Sequence, residues 1–297
     1  MDQANGLREQ VAQKLKPESA TASATPLRVI AITSGKGGVG KTNISANLAV
    51  LAAKQGQRVL VLDADLGLAN VEILYGIKPQ YHLGHLLDDR GLTMDEVLAQ
   101  GPEGVRVLSA GSGIRALTRL DDTQKQRLLN AMEEIENSFD VVLIDTGAGI
   151  GDNVLFFAGA AQEALLVVSP EPTSLTDAYA AVKVLSLEGK VEHFSVVVNQ
   201  AAHDAQARDL YKKLCTVTSR FLTAQMRYAG FIPRDENLRR AVMAQRPLVD
   251  VFPQSPASRA LSSLRHFLLS GPPPKVANGG LKFLWYRMLR DSALAGG

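Results

Sequence analysis

The residues with the clearest chemical meaning lie between Ser34 and Thr42, in the stretch Ser-Gly-Lys-Gly-Gly-Val-Gly-Lys-Thr. An apolar run, Arg28–Thr33, precedes this stretch, and a helix-compatible segment follows it. Glycines allow the backbone to wrap a phosphate chain with its N–H groups pointing inward, at the positive end of a helix dipole. Lys41 is then placed to reach the outer phosphates, and the Thr42 hydroxyl is placed to ligate Mg²⁺. The pattern predicts a P-loop for a nucleoside triphosphate. Its predicted nucleotide-binding residues are Gly35, Lys36, Gly37, Gly38, Val39, Gly40, Lys41, Thr42 and Asn43.

Three carboxylates follow apolar runs elsewhere in the chain. Asp63 and Asp65 end one run with i, i+2 spacing, which places both on one side if the strand continues. Their mutual repulsion favours a cation or a water network beside them, and Mg²⁺ takes oxygen ligands and keeps several waters. Asp145 ends a second run and fits the Walker B role of holding Mg²⁺ through water. The predicted metal residues are Thr42, Asp63 and Asp145, partly through water.

The elements that must position these groups follow an alternating pattern. Apolar runs typical of buried parallel strands occur at Val59–Leu62, Val105–Leu108, Val141–Ile144, Leu165–Val168 and Val196–Val198. Helix-compatible stretches occur between and after them, at Asp122–Asn137, Thr173–Leu187, Ala205–Phe221 and Asn237–Ala244. The alternation predicts an α/β fold, with a predominantly parallel sheet covered by helices on both faces. Ligands of such sheets bind beyond the carboxyl ends of the strands, where the loop and the carboxylates meet.

Composition excludes several classes of function. The 297 residues are 46% hydrophobic and 21% charged, which is ordinary for a globular protein. The single cysteine, Cys215, forms no internal disulfide, which fits a reducing cytosol. An iron–sulfur carrier or nitrogenase-like reductase needs clustered cysteines, so this different class of ATPase is disfavoured. His82 and His85 lack a third strong metal ligand nearby and are interpreted as surface residues near a turn.

Two compositional breaks divide the chain. The small, polar residues 17–26 predict a flexible linker, and Gly271 followed by three prolines begins a stiffer one that ends at residue 280. The predicted organisation is an N-terminal segment (1–16), a linker (17–26), a core domain (27–270), a second linker (271–280) and a tail (281–297). No apolar run reaches the roughly eighteen residues of a membrane span, and residues 1–18 lack the apolar centre of a signal peptide. We therefore expect a cytoplasmic protein.

The tail has the pattern of an amphipathic helix. One face follows the i, i+3, i+4, i+7, i+8 rule and consists of Leu281, Leu284, Trp285, Met288 and Leu289. Lys282 and Arg287 flank this face, which favours the interface of a bilayer. Docking into a groove of the same domain is the alternative. A short helix is marginal alone in water, so two copies in a dimer would bind a membrane much better than one.

The loop GKGGVGKT resembles the deviant Walker A motif of the MinD/ParA (SIMIBI) class of P-loop ATPases. An ordinary P-loop tolerates almost any residue at Lys36, whereas the resemblance implies that this lysine crosses a dimer interface to the partner's nucleotide. DADLGLAN, from Asp63, and DTGAGIGD, from Asp145, are similar to further segments of this class, the second being its switch II. The resemblance implies that Asp65 orients or activates the attacking water, that Asp63 supports the metal region, and that Lys36 offsets charge on the transferred phosphoryl group. The predicted catalytic residues are Lys36, Lys41 and Asp65.

The same resemblance assigns residues to the nucleoside. Glu171 matches a position that reaches a ribose across the dimer, although an exposed loop glutamate is also common. Asn199 carries an amide able to donate to and accept from adenine, unless it caps a strand. Pro233 and Asp235 match the family's IP-x-D loop, which contacts the base mainly through backbone, unless Asp235 only caps a helix. No guanine-specifying NKxD motif occurs, so ATP with Mg²⁺ is favoured over GTP.

The N-terminal residues indicate a particular subgroup of the MinD/ParA class. Asp2, Gln3, Ala4, Leu7 and Arg8 match the DQAxxLR motif of the FlhG (FleN) family of flagellar number regulators. In that family the motif activates the GTPase FlhF. The resemblance implies an ATP-dependent homodimer at the inner face of the cell membrane. It also implies a flagellar C-ring protein and a flagellar transcription activator as further partners.

The alternative is a MinD/ParA-type positioning ATPase for the division site, DNA or other cargo. ParA-like proteins bind DNA through basic surface, with strong salt dependence. The arginines available for such a surface are Arg227, Arg234, Arg239, Arg240 and Arg246. At a net charge of +2 we interpret them as solvated or partner-facing, and no direct DNA binding is expected.

Overall fold

A computed structural model describes residues 27–65, 70–88, 90–109, 122–135, 137–272 and 274. The N-terminal motif, the first linker and the tail lie outside these ranges. Our predictions for Asp2, Gln3, Ala4, Leu7 and Arg8, and for the apolar face of the tail, therefore stay predictions.

In the part of the chain that the structure describes, eight strands form one sheet. They are β1 (Arg28–Thr33), β2 (Val59–Ala64), β3 (Ala99–Gln100), β4 (Arg106–Ser109), β5 (Val141–Thr146), β6 (Glu163–Val168), β7 (His193–Ala201) and β8 (Gln225–Pro233). Their order across the sheet is β3-β4-β2-β5-β1-β6-β7-β8. All neighbours pair in parallel except β3, which runs antiparallel to β4. The predicted predominantly parallel α/β sheet is confirmed.

Helices cover both faces of this sheet. They are α1 (Lys41–Ala53), α2 (Asn70–Tyr75), α3 (Leu83–Leu87), α4 (Met94–Val97), α5 (Asp122–Ile135), α6 (Asp152–Ala158), α7 (Pro172–Leu187), α8 (Asp204–Thr218), α9 (Glu236–Met243), α10 (Leu248–Val251) and α11 (Pro256–Leu269). A short 3-10 turn, Pro102–Gly104, precedes β4. Among these helices none is both long enough and apolar enough to cross a bilayer.

Alternation along the central strands builds two hydrophobic layers. In β1, Val29 and Ala31 pack on one face with α5, α6, α7 and α8. Ile30 and Ile32 pack on the other face with α1, α9, α10 and α11. Strands buried on both faces read as continuous apolar runs, which is why most of this sheet was recognisable in the sequence.

Several observed elements were not predicted from the sequence, and β8 and α11 are the longest of them. β8 is an edge strand whose residues are alternately exposed and half-buried over much of its length, so it carries no apolar run. Its pairing with β7 shifts register near Gly230, which has a φ of 106°. We expected Gly230–Asp235 to form a loop, but Pro233 ends the strand and only Arg234 and Asp235 lie between β8 and α9. The long helix α11, capped by the Ser255 hydroxyl, was also not predicted.

Candidate functional site

The glycine-rich loop joins β1 to α1 at the carboxyl edge of the sheet. Gly40, immediately before α1, has a φ of 95°, in the left-handed region that glycine adopts without strain. A Cβ on Gly35 would lie 2.0 Å from the carbonyl oxygen of Asp177 in α7. The loop therefore needs glycine both for its turn into α1 and for its close packing on α7.

Lys41 is buried at the start of α1. Its Nζ donates to the Ser34 hydroxyl at 3.0 Å. Burial lowers the pKa of Lys41, and the charges of Asp145 and Asp65 oppose that shift. A buried ammonium at the mouth of the loop has the charge and position to bind phosphate oxygens.

Asp145 ends beside the first turn of α1. Its Oδ1 accepts from the Ser45 hydroxyl at 3.0 Å, and the Thr42 hydroxyl also bonds to this carboxyl group. Its Oδ2 is buried and has no hydrogen-bond partner among the described residues. Burial raises the pKa of Asp145 to about 6. An orphaned carboxylate oxygen beside a threonine hydroxyl offers the hard oxygen donors that Mg²⁺ takes, so these residues fit the ion.

Asp63 also has a structural role that the sequence did not indicate. It is the register partner of Asp145 on the neighbouring strand, which places it in the metal region. However, its Oδ1 accepts from the Asp65 backbone N–H and its Oδ2 from the Val71 N–H, both at 3.2 Å. Burial and the nearby Asp145 raise the pKa of Asp63 to about 7. Asp63 therefore holds the backbone at Asp65 and at Val71, and its predicted support of the metal region stays a prediction.

Asp65 lies half-buried at the end of β2. Its Oδ2 accepts from the Asn70 side-chain amide at 3.4 Å. The predicted role in orienting water stays a prediction.

Switch II, defined here as residues 145–152, contacts the P-loop directly. The Gly149 N–H donates to the Ser34 carbonyl at 3.0 Å, and the Thr146 hydroxyl donates to the Ile32 carbonyl at 3.0 Å. Ile150 at its tip is exposed. Switch II is thus held to β1 and the loop in this conformation.

Lys36 lies at the rim of the loop. Its Nζ forms an ion pair with Glu171, and the Thr173 hydroxyl lies 3.4 Å from the same nitrogen. The side chains of Lys36 and Glu171 are 37% and 57% exposed. Exposed ion pairs contribute little stability, so this one is readily broken. Two residues predicted to act across a dimer therefore contact each other within one chain.

A cavity of about 450 Å³ adjoins the loop and is lined by Asn43, Asn199, Pro233 and Asp235, among others. The Asn199 amide donates to the Val39 carbonyl at 2.7 Å, and its oxygen accepts from the Gln200 N–H at 3.0 Å. The Asp235 carboxylate caps α9 through the Asn237 N–H and also accepts from the Ala257 N–H. The three residues predicted to hold the base, Asn199, Pro233 and Asp235, are brought together beside Asn43, and the side chains of Asn199 and Asp235 also bond to backbone groups.

Comparison with known proteins identifies the family. The family model for the CobQ/CobB/MinD/ParA nucleotide binding domain matches residues 30–248. The chain belongs to the MinD/ParA family. Within it the chain belongs to the FlhG/FleN group, because it is 45% identical over 268 residues to the antiactivator FleN of Pseudomonas aeruginosa, covering 90% of this chain and 95% of FleN.

Two further relatives agree. The flagellum site-determining protein YlxH of Helicobacter pylori is 32% identical, with 89% of this chain and 90% of YlxH covered. The structure of the septum site-determining protein MinD of Pyrococcus horikoshii, complexed with Mg-ADP, is 25% identical with a TM-score of 0.63. It covers 81% of this chain and 95% of that one. The predicted family is confirmed, and its ATPases bind and hydrolyse nucleotide.

The arginines weighed for DNA binding do not all lie on one surface. Arg227 pairs with the buried Glu163 at 2.5 Å and contacts the Ser195 hydroxyl, near the amino edge of the sheet. Arg234 and Arg239 line the cavity at the opposite, carboxyl edge. The arginines weighed for DNA binding are therefore divided between two ends of the sheet.

The two histidines are structural. His82 caps α3 by accepting from the Gly84 N–H at its Nδ1, and the His85 Nδ1 accepts from the His82 N–H. Both residues are half-buried at the turn into α3. Within the described ranges no group of three or more His, Cys, Asp or Glu side chains is arranged to hold a metal.

The pKa of Asp145 leads to a prediction about stability. Its folded-state pKa of about 6 lies above the usual 3.8, so its ionisation opposes folding as pH rises through this interval. We expect Asp145→Asn to raise the melting temperature of the metal-free protein at pH 8, and the gain to shrink as pH falls to 5. Stabilisation by Mg²⁺ with nucleotide should be lost, and calorimetry with and without Mg-ADP measures both effects.

Asp140 provides a control of opposite sign. Its hydrogen bond with Arg58 lowers the pKa of Asp140, so Asp140→Asn should lower the melting temperature at pH 8. A metal-free Asp145→Asn protein less stable than wild type at pH 8 would contradict our account of the site.

Proposed function

We propose that this chain is an ATP-dependent, dimerising ATPase that regulates flagellar number and placement. The main support for the proposal is the position of the second lysine of the P-loop, Lys36, which lies beside Glu171 at an exposed rim. The similarity to FleN, an antiactivator, and to YlxH, a flagellum site-determining protein, supports the flagellar role. A flagellar transcription activator is accordingly a proposed partner, together with a C-ring protein.

The chemistry we propose is phosphoryl transfer from ATP to water. The loop backbone and Lys41 bind the phosphates, while Thr42 and Asp145 hold Mg²⁺, which supplies charge neutralisation to the phosphates when bound. Asp65 orients the attacking water. The cavity beside Asn199 and Pro233 accepts the adenine, with much of its polar recognition from backbone.

Dimerisation completes the site in this proposal. Lys36 leaves Glu171 and reaches the partner's phosphates, where a fixed ammonium stabilises charge that develops in the transition state. Glu171 is released at the same time for the partner's ribose. Because the exposed pair contributes little stability, exchanging it for contacts to nucleotide costs little. Hydrolysis by the single chain is then slow.

Kinetics of Lys36→Ala test the dimer. We expect kcat to fall by about a hundredfold, the effect typical of losing one electrostatic contact to the transition state, with ADP affinity unchanged. Wild-type specific activity should rise with protein concentration, whereas that of the variant should not. Lys212→Ala, which removes an exposed lysine from α8, is the control and should behave as wild type. Turnover independent of protein concentration and unharmed by Lys36→Ala would refute the proposal.

The N-terminal segment is proposed to stimulate the FlhF GTPase. The support is the match of five residues, from Asp2 to Arg8, to the DQAxxLR motif. We expect the full chain to accelerate GTP hydrolysis by FlhF, and removal of residues 1–16 to abolish this effect while leaving ATP turnover intact. A Leu7→Ala, Arg8→Ala double variant should behave like the truncation. Equal stimulation by all three proteins would exclude the motif, and no stimulation by any would favour a positioning ATPase of other cargo.

We also propose that the ATP-bound dimer lies on the inner face of the cell membrane through residues 281–297. The apolar face and flanking basic residues of this tail support the proposal. Flotation with anionic liposomes should recover more protein with ATP than with ADP, because two tails bind together. Trp285→Glu, which places a charge on the apolar face, should remove binding. Equal flotation in both nucleotides would eliminate the switch.

A further inference from the structure

Ser34, the residue between β1 and the glycine-rich loop, joins three parts of the site. It is 1% exposed. Its hydroxyl donates to the Lys36 carbonyl at 2.7 Å and accepts from the Lys41 Nζ at 3.0 Å. Its own carbonyl accepts from the Gly149 N–H of switch II at 3.0 Å. One buried serine thus contacts both lysines of the loop and the switch.

The first contact fixes a peptide plane. A trans peptide is planar, with its C=O and N–H pointing in opposite directions. When the Lys36 carbonyl turns back to the Ser34 hydroxyl, the N–H of Gly37 in the same peptide points the other way. Without this bond the carbonyl is free to turn toward a bound phosphate, which it would repel. The hydrogen bond from Ser34 to the Lys36 carbonyl therefore orders the phosphate cradle, meaning the loop N–H groups that point inward. It also orders the backbone from which the Lys36 side chain extends.

The second contact orients a buried charge. Lys41 is 7% exposed, so its ammonium depends on nearby protein acceptors. The Ser34 hydroxyl accepts a hydrogen bond from one of the three N–H groups of this ammonium, and the other two stay available for phosphate oxygens. The hydroxyl is well suited to both contacts at once, because it donates one hydrogen bond and accepts others.

We propose that Ser34 is a positioning residue that aligns both lysines, Lys41 for binding phosphate in its own site and Lys36 for turnover in the partner's. The part concerning Lys36 rests on the dimer proposed above. The part concerning Lys41 and the cradle does not, because it involves one chain only. The two parts therefore have separate measurements.

The test compares Ser34→Ala with Ser169→Ala in the full chain. Ser169 follows β6, is also buried, and its hydroxyl has no hydrogen-bond partner among the described residues. We expect Ser34→Ala to weaken ADP binding about tenfold and to lower kcat at saturating ATP about tenfold, in line with losing a hydrogen bond to a charged group. Ser169→Ala should leave both values within about twofold of wild type. Ser34→Cys, which keeps the volume but bonds weakly, should reproduce the defect if the alanine variant folds poorly.

A double-mutant cycle with Lys36→Ala separates positioning from general damage. If Ser34 affects turnover through Lys36, Ser34→Ala should lower kcat no further in the Lys36→Ala background, while still weakening ADP binding. Multiplying losses in kcat, or a comparable defect in Ser169→Ala, would overturn the assignment. If Lys36→Ala alone left kcat unchanged, the dimer proposal would fail, and unchanged ADP binding by Ser34→Ala would separately refute the role of Ser34 at Lys41.

Discussion

Burial of like charges at one sheet edge is the constraint around which this site is built. Asp63 and Asp145 are register partners on adjacent parallel strands, and both are almost fully buried. Desolvation raises the pKa of each, the charge of Asp145 adds to the shift at Asp63, and the charge of Asp65 adds to the shift at Asp145, so the fold holds these carboxylates at a cost. Backbone N–H groups offset this cost at Asp63, while the Ser45 hydroxyl and the Lys41 charge offset it at Asp145. The arrangement gives up stability for a group of carboxylates whose charge would be offset by a divalent cation.

The hydrogen bonds of this site also connect parts of the chain that are distant in sequence. Asp63 holds both ends of the segment leading to α2, which includes Asp65. Ser34 holds Lys41 through its hydroxyl and switch II through its carbonyl. A ligand that changes the charge beside Asp145 therefore acts near a set of groups, including Lys41 and switch II, that are already linked by hydrogen bonds. By contrast, the Lys36–Glu171 pair at the rim is exposed and weak, so it is the part that a second subunit can replace most easily.

The features that could be predicted from the sequence are those with a local motif or a regular apolar pattern. The P-loop, its helix and the carboxylates at the ends of β2 and β5 follow from a motif of fixed spacing and from continuous apolar runs. β8 could not be found in this way, because an edge strand with a bulge at Gly230 has no such run. The anchoring role of Asp63 and the contact of Thr173 with Lys36 depend on backbone and side chains that only the fold brings together. For the same reason the three contacts of Ser34 leave no pattern in the sequence.

The position of the chain ends limits how nucleotide can affect the terminal segments. β1 begins at the amino edge of the sheet, and the Arg28 guanidinium donates to the Leu268 carbonyl in the last turn of α11. Both terminal segments therefore join the domain at this edge, while the P-loop lies at the other end of a six-residue strand, about 20 Å away. Neither attachment point touches the predicted phosphate site. In the dimer and membrane attachment proposed above, a nucleotide bound in one chain would therefore act on the tail most simply by bringing two chains together, since two weak sites that bind together have a higher joint affinity without any change in their own contacts.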